Sequence, residues 1–193
     1  MNQIIPRWEW RNFGSHFGNA EVCLKARGAD RLQHSDEIYL LSSISDANVK
    51  IRDELMDIKR LEQTDPHGFE LWRPLLKEAF PLPAATIGAV FAALQVLPPT
   101  IPAPITLDQL LAEVASDSRL QALEVHKTRS RYQLEGCIAE LTEVTANGKT
   151  ICTIAIESET AAHINSALLT LGLEGLENVS YPRGLKRLVG MAN

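Results

Sequence analysis

The sequence has little of what would mark a secreted or membrane-spanning protein. Its three cysteines, Cys23, Cys137 and Cys152, are odd in number and show no CxxC spacing, which argues against a disulfide framework and a structural zinc site. No apolar run approaches the about 20 residues that a membrane-spanning helix needs, and no segment resembles a signal peptide. We therefore expect a cytoplasmic protein without a membrane partner.

The chain also lacks an excess of positive charge. Its net charge is −5, whereas general nucleic-acid binders usually carry a broad surplus of Lys and Arg. Nucleic acid is therefore not an expected partner, and any cationic site must be local. With 45% apolar and 22% charged residues over 193 positions, the composition is that of a globular domain that can bury a core.

Aromatic residues are few but concentrate near the N terminus, where Trp8, Trp10, Phe13 and Phe17 alternate with charged residues. We interpret residues 1–19 as an arm that packs on the body of the protein, because so many aromatic side chains rarely stay in water. Interleaved basic and aromatic residues can also stack on nucleic-acid bases, but the acidic balance of the chain favours packing.

The stretch from Glu124 to Glu135 carries Lys127, Arg129 and Arg131 at every second position. In a strand these three cations share one face, which is either a solvated stripe or part of a cationic site. The alternation of charged and apolar residues recurs in further predicted strands. These strands cover residues 20–27, 36–42, 48–52, 55–61 and 149–159, the last of which follows an Asn147-Gly148 hairpin turn.

Between residues 65 and 120 the pattern changes to helical periods, which predicts a helical insertion within the domain. Phe69, Trp72 and Leu75 begin a run of apolar residues at spacings of three and four, so we predict a helix over residues 68–79. A second helix is predicted over residues 84–97. Thr106, followed three residues later by Gln109, resembles a capping box that opens a third helix.

The charged strand faces suggest a ligand of opposite charge. Like charges on adjacent strands repel by about 1 kcal/mol per pair at 4 Å even in water, and a bound polyanion would relieve this repulsion. Arg and Lys suit phosphate, and Mg²⁺ typically uses one or two carboxylates together with phosphate oxygens. Because Glu157 and Glu159 end one strand face, the pattern predicts a metal and polyphosphate site.

The order of these parts resembles the CYTH domain of the triphosphate tunnel metalloenzymes. The matching pieces are the ExExK-like stretch 21–25, the stretches 49–52, 58–59 and 127–131, the ExE stretch 157–159 and Ser180-Tyr181. The resemblance covers nearly the whole chain after the arm. It implies one α+β domain over residues 1–193, a closed antiparallel β-barrel of about eight strands with helices outside, and a polar interior that binds a triphosphate.

The resemblance also implies roles for individual residues. Lys25, Arg52 and Arg129 are implied as catalytic cations that stabilise the transferring phosphoryl group. The implied ligands of Mg²⁺ or Mn²⁺ are Glu21, Glu157 and Glu159. The implied phosphate-binding residues are Lys25, Lys50, Arg52, Lys59, Lys127, Arg129, Arg131 and Lys186.

The sequence departs from the family pattern at Cys23, which stands where the ExExK motif has its second Glu and is poorly suited to Mg²⁺. Glu140 is either a further carboxylate of the site or an exposed strand residue. The leading hypothesis is a phosphohydrolase that acts on a triphosphate or polyphosphate with a divalent metal. A binding module without turnover and an adenylyl cyclase are the alternatives, and a homodimer is left open.

Overall fold

The computed structural model describes residues 5–191, so the first part of the expected arm and the last two residues lie outside the described chain. The strands are β1 (Arg7–Gly14), β2 (Arg31–Ser42), β3 (Asn48–Arg52), β4 (Leu55–Thr64), β5 (Glu70–Ala79), β6 (Leu120–Leu134), β7 (Cys137–Ala146) and β8 (Lys149–Ser158). The helices are α1 (Asn19–Arg27), α2 (Ala84–Ala93), α3 (Leu107–Ser116), α4 (Ala161–Leu171) and α5 (Tyr181–Val189).

The eight strands form a closed barrel in the order β1-β5-β4-β3-β2-β6-β7-β8, and every neighbouring pair is antiparallel. The expected α+β fold with a closed antiparallel barrel is therefore confirmed. The turn between β7 and β8 has positive φ angles at Asn147 (49°) and Gly148 (68°), as a two-residue type I′ hairpin requires.

Helices cover the apolar parts of the outer face of the barrel. Helices α1 and α4 pack on a core that includes Trp10 and Ile156, and helices α2 and α3 pack on a second core around Met56 and Ile58. The expected capping box is present, since Thr106 and Gln109 exchange side-chain to backbone hydrogen bonds at the start of α3. Among residues 5–191, no helix is long and apolar enough to cross a membrane.

Helix α5 packs against inward-facing residues at one end of the barrel. Tyr181 and Leu185 of this helix join Leu41, Val125 and Val144 in a third apolar cluster. These strand residues lie at alternate positions from the lysines and arginines that point into the barrel, so they share the inward face with them. The barrel interior, which we call the lumen, is therefore closed by apolar packing at this end.

Two predictions at the N terminus are wrong. Residues Arg7–Gly14 do not form part of an arm but are the first barrel strand, which pairs with β8 over seven consecutive positions from Trp8. Residues 20–27, expected as a strand, belong to helix α1. Ala20 and Leu24 are buried there at a spacing of four, which places both on one face of a helix. The same residues also alternate as a strand would, so the sequence pattern fits both structures.

The expected helix over residues 68–79 is also wrong, because residues Glu70–Ala79 form strand β5. Pro74 explains the difference in part, since a proline inside a helix removes a hydrogen bond and clashes with the preceding turn. In the strand Pro74 lies next to an irregularity in the β4–β5 register, a position that tolerates proline. Helices α2 and α3 make up the helical part of the expected insertion.

Candidate functional site

The inward faces of the strands enclose a cavity of about 100 Å³ in the lumen. Charged side chains of both signs dominate its lining. The lumen cations are Arg11, Lys50, Arg52, Lys59, Lys127 and Arg129. The lumen carboxylates are Glu9, Asp57, Glu140 and Glu157, together with Glu37, which contacts Lys50 and Lys127.

Glu37 accepts hydrogen bonds from two buried lysines. Its carboxylate accepts hydrogen bonds from Lys127 Nζ at 2.8 Å and from Lys50 Nζ at 3.1 Å. Lys127 Nζ also donates to the Tyr39 hydroxyl at 2.8 Å and lies 3.8 Å from the centre of the Tyr181 ring. The Lys127 ammonium is thus held by one carboxylate and two aromatic residues.

Burial changes the protonation of this cluster. Burial lowers the pKa of Lys127 to about 7 and that of Lys50 to about 8, despite the nearby Glu37 carboxylate. Burial alone would raise the pKa of Glu37, but the two ammonium groups outweigh it and hold that pKa well below its usual range. Glu37 is therefore ionised at neutral pH, while the lysines titrate near it.

Arg11 is fixed by contacts on several sides of its guanidinium group. Its Nε donates to Glu9 at 3.0 Å, and one terminal nitrogen donates to the Thr153 hydroxyl at 3.0 Å. The other terminal nitrogen lies 3.8 Å from a Glu140 oxygen, and the guanidinium carbon lies 4.2 Å from the centre of the Tyr181 ring. Burial disfavours the charge, but Glu9 and other neighbours more than offset it and raise the pKa of Arg11.

Glu157 faces Glu9 across neighbouring strands, because the two residues are register partners on β8 and β1. Burial and the carboxylates of Glu9 and Glu140 raise the pKa of Glu157 to about 6. The Glu157 side chain is 20% exposed, and its nearest cation in an ion pair is Arg7, whose guanidinium lies 4.0 Å away. Glu157 therefore titrates about one pH unit below neutrality.

A second cavity of about 340 Å³ adjoins the lumen, and we call it the mouth. The two cavities share Glu9, Lys59 and Glu157, so these side chains lie between them. None of the ion pairs within 4.0 Å among residues 5–191 involves Lys59. Lys59 therefore presents a cation at the junction. The mouth is also lined by Ile5, Arg7, Trp72, Pro74 and Glu159.

The structure brings most of the predicted phosphate-binding residues together. Lys50, Arg52, Lys59, Lys127 and Arg129 all line the lumen cavity. Arg131 does not line that cavity, although it follows Arg129 on the same face of β6; its Nε lies 3.4 Å from Asp30.

Two of the predicted cations lie elsewhere. Lys25 is on the outside of the barrel, where its Nζ pairs with Glu21 at 3.0 Å on the exposed side of α1. Lys186 is buried on α5 and donates to the carbonyl oxygens of Ser42 and Ser45 at 3.2 Å each, so it anchors the β2–β3 connection. Neither residue reaches the lumen cavity.

The predicted metal set Glu21, Glu157 and Glu159 is not assembled. Glu157 lines the lumen, Glu159 is exposed at the mouth, and Glu21 lies on α1 with Cys23, outside the barrel. On the first barrel strand, Arg7, Glu9 and Arg11 occupy successive alternate positions, with one carboxylate between two arginines.

Several lumen residues were missed or left open, Asp57 among them. Glu9 and Arg11 were assigned to the arm, although their alternation with Trp8 and Trp10 is a strand signal. Glu37 was overlooked, although it lies two positions before Tyr39 and therefore on the same face of β2. Glu140 is buried in the lumen opposite Arg131 of β6, which resolves the two readings in favour of a lumen carboxylate.

The divalent metal that the resemblance implies requires hard oxygen ligands that are free to bind it. Every lumen carboxylate already has a Lys or Arg nitrogen within 4.0 Å. In the described part of the chain, no group of three or more His, Cys, Asp or Glu residues is arranged to hold a metal ion. The residues present therefore do not fit the metal site that the resemblance implies.

Comparison with known proteins identifies the fold. No family model matches the chain, and no curated protein matches it. The structure of PH1012 from Pyrococcus horikoshii is 17% identical, with 97% of this chain and 99% of that chain covered and a TM-score of 0.54. A Bacillus halodurans structure described as a candidate adenylate cyclase is 13% identical, with 92% and 97% covered and a TM-score of 0.53.

A third structure comes from Hippeastrum and is described as an adenylyl cyclase candidate with a dominant triphosphatase activity. It is 11% identical, with 97% of each chain covered and a TM-score of 0.51. At these identities the likeness concerns the fold. These structures share the fold of this chain, and the expected closed antiparallel barrel is confirmed.

Proposed function

We propose that this barrel, which has the CYTH-type tunnel fold, binds the phosphate chain of a triphosphate or polyphosphate in its lumen. The observation that carries the proposal is the convergence of six cationic side chains on one enclosed cavity. Charge-assisted hydrogen bonds from Arg and Lys to phosphate are short and strong, and they gain further strength where water is excluded.

The two cavities suggest how a phosphate chain would lie. Ligand pockets usually measure about 300–1,000 Å³, so the lumen cavity alone is too small for a whole triphosphate compound. The mouth falls within that range. We therefore propose that terminal phosphate groups enter the lumen while the rest of the ligand stays in the mouth, with Lys59 between the two.

Some lumen cations are free to turn towards phosphate oxygens. Arg52 contacts Glu37 and Asp57 only at 3.9 Å, which is longer than a hydrogen bond. Arg129 Nε is buried, makes no hydrogen bond within residues 5–191 and lies 3.4 Å from Glu140. Replacing these long ion pairs by contacts to phosphate costs little, because neither arginine has to give up a well-formed hydrogen bond at these atoms.

Calorimetric titration with tripolyphosphate, pyrophosphate and orthophosphate tests the binding proposal. Arg52→Ala and Arg129→Ala should each weaken tripolyphosphate binding, since a charge-assisted contact contributes about 1.5–3 kcal/mol, or roughly tenfold to a hundredfold in affinity. Lys25→Ala on the outside of the barrel is the control and should bind normally. Unchanged affinity in folded Arg52 and Arg129 variants would remove both residues from the site.

A second candidate function is hydrolysis of the bound phosphate chain. Glu157 favours it, because a carboxylate with a pKa of about 6 can accept a proton from an attacking water near neutral pH. The lumen cations would stabilise the charge on the transferring phosphoryl group. A requirement for Mg²⁺ or Mn²⁺ was expected from the resemblance, and the assay must decide it.

The assay measures phosphate release from tripolyphosphate, ATP and thiamine triphosphate, with and without Mg²⁺ and Mn²⁺. Loss of release in Glu157→Gln with retained tripolyphosphate affinity would support hydrolysis by this site. Binding without phosphate release under any of these conditions would support a binding module without turnover. Chromatography of the ATP reaction separates ADP from cyclic AMP and so tests the adenylyl cyclase alternative. The cytoplasmic location stays a prediction, which cell fractionation would check.

A further inference from the structure

Arginines occupy the alternate positions on either side of Glu9 in strand β1. Arg7 and Arg11 share the inward face of the strand with Glu9, because residues at alternate positions point to the same side. Arg7 lies 4.0 Å from Glu157, and Arg11 lies 3.0 Å from Glu9 and 3.8 Å from Glu140. Two guanidinium groups of one strand therefore face three lumen carboxylates.

Arg11 bridges carboxylates that come from different strands. Glu9 is on β1 and Glu140 is on β7, and β8 lies between these strands in the barrel. Only 4% of the Arg11 side chain is exposed, and the Thr153 hydroxyl and the Tyr181 ring fix its remaining sides. A fixed cation that joins two carboxylates provides the counter-charge that a bound metal ion otherwise supplies.

We propose that the guanidinium groups of Arg7 and Arg11 take the place of a divalent cation in this lumen, so that the phosphate chain binds without metal. The inference rests on the proposed binding of a phosphate chain. It follows from two observations: each of these three carboxylates has one of the two guanidinium groups within 4.0 Å, and the described residues hold no group of three or more His, Cys, Asp or Glu residues arranged for a metal ion.

The first test compares tripolyphosphate binding by the native protein in chelator and in Mg²⁺. We expect equal or tighter binding in chelator, because Mg²⁺ complexes tripolyphosphate in solution and lowers its negative charge. Binding that appears only with Mg²⁺ would overturn the inference while leaving the proposed function intact. Failure to bind in either condition would remove the proposed function and this inference together.

The second test places a carboxylate at position 7, two residues before Glu9 on β1. Arg7→Glu adds a third acid beside Glu9 and Glu157, and we expect the variant to fold because the Arg7 side chain is 47% exposed. We expect Mn²⁺ alone to raise the melting temperature of Arg7→Glu, because a ligand that binds only the folded state stabilises it. The native protein and the control Arg27→Glu, which makes the same charge change on α1, should show no such rise.

A rise of the native melting temperature with Mn²⁺ alone, equal to that of Arg7→Glu, would overturn the inference, since it would show a working metal site beside Arg7. The absence of any rise in a folded Arg7→Glu would also count against it, because the arginine would then not occupy a position from which a carboxylate can hold metal.

Discussion

Replacing Lys127 by methionine removes a charge from the centre of the barrel while keeping an unbranched side chain of similar length. In the native protein Lys127 Nζ is bonded to Glu37 and to the Tyr39 hydroxyl, and both the Lys127 and the Glu37 side chains are 0% exposed. The substitution therefore leaves a buried carboxylate with fewer partners. We expect Lys127→Met to lower the stability of the fold.

The structure limits the size of this effect. Removing one partner of a buried ion pair typically costs about 3–5 kcal/mol. Glu37 keeps Lys50 at 3.1 Å, and the variant no longer buries the Lys127 charge, so we expect the lower end of that range. For a domain of this size each kcal/mol lowers the melting temperature by about 2–4 °C, which gives a decrease of roughly 6–12 °C.

Denaturant unfolding below pH 7, where Lys127 carries its charge, measures the loss directly. Lys25→Met is the matched control, since its ion pair with Glu21 is on the surface and contributes little. Combining Lys127→Met with Glu37→Met should recover part of the stability, because the buried carboxylate is then absent as well. Native-like stability of Lys127→Met would refute the view that this pair holds the barrel centre.

Other consequences concern binding and the closed end of the barrel. Lys59→Met should weaken tripolyphosphate binding without lowering stability, because Lys59 has no ion-pair partner within 4.0 Å among residues 5–191; equal binding in calorimetry would contradict this. The affinity for tripolyphosphate should fall as the pH rises through about 7 to 8, because Lys127 and Lys50 lose their charge there. The last ionisation of phosphate, near pH 6, acts in the opposite direction because it adds negative charge to the ligand. A flat or rising affinity profile in calorimetry would argue against a role of these lysines in binding. Gly184→Ala should destabilise the fold by about 1–3 kcal/mol, because the new methyl group would clash with the Phe13 ring; unchanged denaturant unfolding would show that α5 can shift freely.

The barrel could be predicted because most of its strands alternate clearly. Lys50 and Arg52 on β3 are separated by the apolar Ile51, and Lys127 and Arg129 on β6 by the uncharged Thr128, so the alternation of charge sets the inward face. Strand β1 was not predicted as a strand because its outward positions are tryptophans. Trp8 and Trp10 pack beneath helices, and aromatic residues in such number suggested an arm packed on the surface.

The composition of the site could be predicted only in part, because alternation along one strand does not show what the neighbouring strands supply. Glu140 faces the lumen because β7 pairs with β6 in the register that sets it opposite Arg131. Lys25 has the right residue type and the right distance from Glu21 for the motif. Its short segment is equally compatible with a helix, and only the packing of Leu24 on the core decides between the two.

A crystal structure of the protein with bound tripolyphosphate tests the central claim most directly. We expect phosphate groups inside the barrel, in contact with Lys59 at the junction and with Arg52 or Arg129 further in. Phosphate bound only to outer surfaces such as α1, with the lumen ion pairs unchanged at saturating tripolyphosphate, would contradict it.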